Sequence, residues 1–148
     1  MVSKNCLIFL LCFAASYITN SQTQPYTGEY SSSHRTDDTD NPRIDNTLTL
    51  NPNGTFLFHF YRKINDKTPE ENWYAKGKWA VEKKNHLFFY INRDTDLDEK
   101  YTLNFSKTKA RYVSASPRRI SGNSINPSLI FYSSEISWVK GMKLYKKE

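Results

Sequence analysis

The chain has 148 residues, 21 of them basic and 15 acidic, for a formal charge of +6, and it contains only two cysteines. Both of them, Cys6 and Cys12, fall in an apolar amino-terminal run, so residues 22–148 carry no thiol for a disulfide, a thiolate metal site or a cysteine nucleophile. The basic residues are spread along the chain, which argues against nucleic acid as a partner and makes solubility the first reading of the charge.

Lys4, the apolar run over residues 6–18 and the segment Thr19-Asn20-Ser21 have the layout of a cleavable secretory signal, with the cut expected after Ser21. The run is shorter than the ~20 apolar residues of a membrane-spanning helix, and no later stretch repeats it. The expectation is a secreted or periplasmic protein: a signal peptide over 1–21, one domain over 22–148, and no stable membrane insertion after cleavage.

In chain order, a first strand is expected over 26–32 and a second in the alternation of Leu48 and Leu50 with Thr47 and Thr49. Asn51-Pro52-Asn53-Gly54 then supplies a turn, because proline presets the first turn position while asparagine and glycine tolerate left-handed backbone. Beyond it, Phe56, Phe58 and Phe60 share one face of a strand, and Leu57, His59 and Tyr61 share the other. Residues 73–82 alternate again, and a turn at Lys83-Lys84-Asn85 leads into the apolar run 87–91. Tyr101, Leu103 and Phe105 predict a further strand, and others are expected over 110–114, 129–132 and 142–145, about eight in all. The one helical turn is expected at 134–139, capped by Ser133 or Ser134 and ended by Gly141. Residues 33–46 and 115–128 read as long polar loops. Strands apolar on both faces favour closure, so the fold class is all-β: an antiparallel up-and-down β-barrel.

The ordered motifs Gly28-Glu29-Tyr30, Leu48-Thr49-Leu50-Asn51, Asn53-Gly54-Thr55-Phe56, Gly77-Lys78-Trp79 and Leu87-Phe88-Phe89 resemble those of small exported bacterial lipocalin-like proteins. The resemblance covers about residues 26–106, and Tyr30 stands where tryptophan is more typical. It implies a lipocalin-like barrel. On activity it implies little, since such domains act as ligand binders, inhibitors and envelope-stress proteins.

Three constellations carry candidate chemistry. Arg111, Arg118 and Arg119 surround a loop rich in hydroxyls, and converging guanidinium forks can hold a phosphate, sulfate or carboxylate. Trp73 and Tyr74, with Phe88 and Tyr90, can form an exposed aromatic patch for a lipid, glycan or protein, although core packing is the better reading of Phe88. The acidic runs at 37–41 and 94–99 lack the spacing of a calcium loop and read as solvated turns; His34, beside the first run, is placed to add a metal ligand but reads better as a surface histidine, and His59 and His86 have no carboxylate partner at metal-ligand spacing, so neither metal nor cofactor is expected. No Gly-x-Ser-x-Gly elbow or His-Glu-x-x-His helix occurs, and the chain is expected not to be an enzyme. Two readings follow. One is a binding domain that takes a small lipophilic ligand in the barrel or a protein partner at its rim. The other is a structural or inhibitory interaction module whose barrel is filled by Phe56, Phe58, Trp79, Phe89 and Trp138.

Overall fold

A computed structural model describes residues 24–35, 42–114 and 126–148. The strands are β1 (Gly28–His34), β2 (Arg43–Leu50), β3 (Thr55–Lys63), β4 (Glu71–Lys83), β5 (His86–Tyr90), β6 (Lys109–Val113), β7 (Ser128–Ser133) and β8 (Lys143–Lys146), with a 3-10 turn at Gln24–Tyr26 before β1 and an α-helical turn, α1 (Arg93–Asp96), after β5. Each strand pairs antiparallel with the next, and β8 returns to β1 through Tyr30↔Lys146 and Ser31↔Tyr145. The sheet is therefore the closed eight-stranded up-and-down barrel that the alternation predicts, and closure removes the free edges of an open aromatic sheet.

Turn chemistry sets the register. In the β2–β3 turn, the Gly54 N–H donates to the Asn51 carbonyl at 3.0 Å, Gly54 adopts a φ of 80°, and the Asn53 side chain accepts from the Thr55 N–H at 3.0 Å. That turn places Leu50 opposite Phe56 and Thr47 opposite His59. The next hairpin sets His59 opposite Tyr74. Period two then sends Phe56, Phe58 and Phe60 inward and leaves Leu57 exposed on the outer face.

The interior is packed with rings. Phe56, Phe58, Phe89, Phe105 and Phe131 are each at most 1% exposed. Phe105 lies between the others, 4.8 Å from Phe58, 5.7 Å from Phe56, 6.1 Å from Phe89 and 6.3 Å from Phe131, spacings typical of favourable aromatic pairs. At one end Trp79 is nearly buried, and its indole N–H donates to the Asn51 carbonyl at 3.1 Å. At the other, Trp138 packs 4.7 Å from Phe60 and 6.0 Å from Trp73. Tyr30 is fully buried and donates its hydroxyl to the Tyr26 carbonyl at 2.6 Å, and burial pushes its ionisation up.

Several expectations are corrected. Residues 101–105 keep the alternation of a strand, with Phe105 inward, but form no ladder. The Asp98 carboxylate accepts from the N–H groups of Lys100 and Tyr101, and the Asn104 side chain accepts from the Ser106 N–H, so local bonds take donors that a ladder would use. The segment 135–141 is a run of turns in which the Ile136 N–H donates to Ser134 Oγ at 3.2 Å and Gly141 takes a φ of 92°, whereas the α-helical turn is α1, within the second acidic run. The loop expected over 33–46 is shortened, because Ser33 pairs with Asp45 and His34 with Ile44. Residues 1–21, the acidic run at 37–41, and Arg118 and Arg119 lie outside the described residues.

Candidate functional site

Trp73 and Tyr74 do not form one patch, because neighbours on a strand face opposite ways. Trp73 turns inward at the barrel end and stacks on Phe60 at 5.1 Å, with the Arg62 guanidinium 5.7 Å from its ring centre. Tyr74 is on the outside, stacked face to face on His59 at 4.4 Å. Phe88 is also on the outer face, half-buried beneath the Lys109 ammonium and 4.5 Å from Tyr90, so the core reading of Phe88 does not hold. Its strand is apolar on both sides, and register with the fully buried Phe89 decides which side is inward. Arg111 is exposed on β6 opposite His86. Of the three arginines it alone is among the described residues.

What the register does assemble is a shallow trough on the outer face, running from β2 across β3 and β4 to the end of β5. Its first section holds about 230 Å³ and is lined by Thr47, Thr49, Leu57, Phe58, His59, Tyr74, Lys100 and Tyr101. A middle section of about 270 Å³ shares Leu57 and adds Asn51, Thr55, Phe56, Lys76, Gly77, Lys78 and Asp96. The third, about 250 Å³, shares Lys78 and Asp96 and reaches Tyr90, Ile91, Asn92 and Thr95. Four strands lie three spacings apart, so the trough is roughly 14 Å across in the direction of the sheet hydrogen bonds.

The segment from α1 to Tyr101 forms one wall and is held by its own acids. Asp98 accepts from the N–H groups of Lys100 and Tyr101 at 2.9 Å each and from Lys76 Nζ at 2.9 Å. These bonds, the backbone donor of Tyr101 first, draw its ionisation down to about 2. The same partnership raises the Lys76 ionisation, so this pair is charged at neutral pH. Asp96 accepts from the Asn92 N–H at 2.7 Å and from the Thr95 hydroxyl at 3.3 Å, while the Asn92 side chain caps α1 by accepting from the Asp94 N–H. The second acidic run is a largely exposed turn, as its sequence reads, and its carboxylates also anchor this wall. Leu103 ties that wall to the barrel by donating its N–H to the Tyr74 carbonyl at 3.0 Å.

Electrostatically the trough is positive. Lys100 Nζ lies 5.0 Å from the Tyr74 ring centre and 5.4 Å from that of Tyr101, a cation–π setting with no carboxylate paired to it among the described residues. His59 Nε2 lies 2.8 Å from the Asn72 side-chain oxygen, within hydrogen-bond distance. Beneath the trough, Gly77 shares the inward side of β4 with Ala75 and Trp79, where a Cβ would meet the Tyr90 carbonyl at 2.3 Å and the Phe56 ring at 3.0 Å.

No group of three or more His, Cys, Asp or Glu side chains gathers among the described residues, and no helix among them is long and apolar enough to cross a membrane. No protein-family model matches the chain, and no curated protein or solved structure matches it either.

Proposed function

We propose that the chain is an exported, non-catalytic, lipocalin-like binding module whose barrel is filled by its own side chains and whose ligand or protein partner meets the outer surface. The observation that carries this reading is the ring cluster of Phe56, Phe58, Phe89, Phe105 and Phe131, which occupies the interior where a carrier of this fold would hold its cargo. Of the two readings drawn from the sequence, this favours the filled barrel. Export is supported by the layout of residues 4–21, and the lipocalin-like character by the ordered motifs over 26–106. The non-catalytic reading is supported by the trough itself, where Asp96 and Asp98 are committed to local hydrogen bonds.

The test is a thermal-unfolding series with fatty acids and sterols. A filled barrel gives no concentration-dependent rise in the unfolding midpoint. A rise that grows with ligand concentration, as binding to the folded state requires, overturns the reading.

A further inference from the structure

We propose that the outer trough binds an acidic polysaccharide, a chain of sugars bearing carboxylate or sulfate groups. This rests on the reading of the protein as a module that works from its outer surface, and names the ligand class for that surface.

Shape is the first argument. The three sections are joined through Leu57 at one step and through Lys78 and Asp96 at the other, and all are open depressions on the sheet. A groove open along its length and crossing four strands suits a segment of a polymer better than a compact molecule, which buries most of its surface in a deeper pocket.

Charge is the second. Lys78 and Lys100 line the trough without a paired carboxylate among the described residues, and Lys100 is steadied by two tyrosine rings that leave its charge uncancelled. Asp96, the carboxylate that lines the trough, keeps its negative charge while accepting from Asn92 and Thr95, and Lys76 is paired with Asp98. Lys78 and Lys100 together outweigh that one acid, and the net field favours an anion.

Lining chemistry is the third. Thr47, Thr49, Thr55 and Thr95 offer hydroxyls that donate or accept, beside the apolar surface of Leu57 and Ile91. A sugar ring presents the same mixture, hydroxyls at its edge and C–H groups on its faces. A peptide adding as a strand needs a long free sheet edge, and in the closed barrel every strand is paired on both sides over part of its length. An anionic membrane needs a convex apolar surface, whereas this one is concave and rich in hydroxyls.

Affinity electrophoresis of the full exported protein in gels containing polygalacturonate, dextran sulfate or neutral dextran tests the proposal. Retardation by one or both acidic polymers and not by neutral dextran is expected, with polygalacturonate and dextran sulfate separating carboxylate from sulfate preference. Lys78→Gln with Lys100→Gln should weaken retardation at least tenfold, while Lys83→Gln with Lys143→Gln, an equal charge change outside the trough, should leave it within twofold. Circular dichroism checks that each variant is folded, and Lys100→Arg, which keeps the charge, should retain retardation within about twofold of the unaltered protein. Absence of retardation by either acidic polymer overturns the proposal, as does an equal loss in both double variants, or binding to phosphatidylserine vesicles with none to the polymers. None of these outcomes bears on the filled barrel, which fails only if an apolar ligand stabilises the protein.

Discussion

The ring of Phe105 lies 4.8 Å from that of Phe58, although Phe58 belongs to β3 and Phe105 to the connection between β5 and β6. A residue outside the sheet thus supplies the centre of the core. The turn that follows aids this placement, since the Thr108 N–H donates to the Phe105 carbonyl at 3.0 Å and Lys107 adopts a φ of 61°.

Phe105→Ala should accordingly cost about 3–5 kcal/mol, the range for removing a fully buried aromatic whose neighbours only partly collapse into the space. Urea unfolding measures it. A loss below about 1 kcal/mol would mean that Phe105 does not fill the barrel.

Gly77→Ala should destabilise by roughly 1–3 kcal/mol through overpacking, even though alanine is the smallest substitution. The added methyl would meet the Tyr90 carbonyl at 2.3 Å and both the Ile91 side chain and the Phe56 ring at 3.0 Å, so β4 and β5 must separate. The same shift should disturb the middle of the trough. Chemical denaturation gives the energy, and unchanged stability would show that the two strands are less closely packed than described.

Asp98 links the trough wall to pH. Its folded-state ionisation is near 2, below the ~3.9 of a free aspartate, so the stabilisation is present above pH ~4 and is lost as pH falls through about 2. Amide exchange at Tyr101 should therefore accelerate across that interval. Asp98→Asn retains an acceptor for the two N–H groups but cannot pair with the Lys76 charge, and should show faster exchange already at pH 5. Equal exchange in the two proteins at pH 5 would remove the ion pair from the account.

Much of the barrel is legible in the sequence, because burying one face of a strand imposes period two. Phe56, Phe58 and Phe60 identify their own inward face, and Asn51 to Gly54 mark the turn that aligns it. Phe88 is not legible in this way, since both faces of its strand are apolar and period two has nothing to distinguish. Tyr101 and Leu103 alternate as a strand would, but Asp98 and Asn104 divert the backbone donors, a competition that alternation does not register. The trough is harder still. Thr47, His59, Tyr74 and Lys100 are scattered along the chain and meet only through two successive registers and a loop. Counting outward from a four-residue turn at Asn51–Gly54 gives Thr47 opposite Phe58, whereas the turn closes between Asn51 and Thr55 and sets Thr47 opposite His59. Trp73 and Tyr74 show the opposite failure: adjacent aromatics suggest a patch, and strand geometry divides them between core and surface.

Backbone amide shifts followed by two-dimensional NMR test the filled barrel with external binding most directly. On addition of polygalacturonate, the amides of Thr49, His59, Tyr74, Lys78 and Lys100 should move while those of Phe89, Phe105 and Phe131 stay, and palmitate should move neither group. Saturable shifts at Phe89, Phe105 and Phe131 on addition of palmitate would contradict the account.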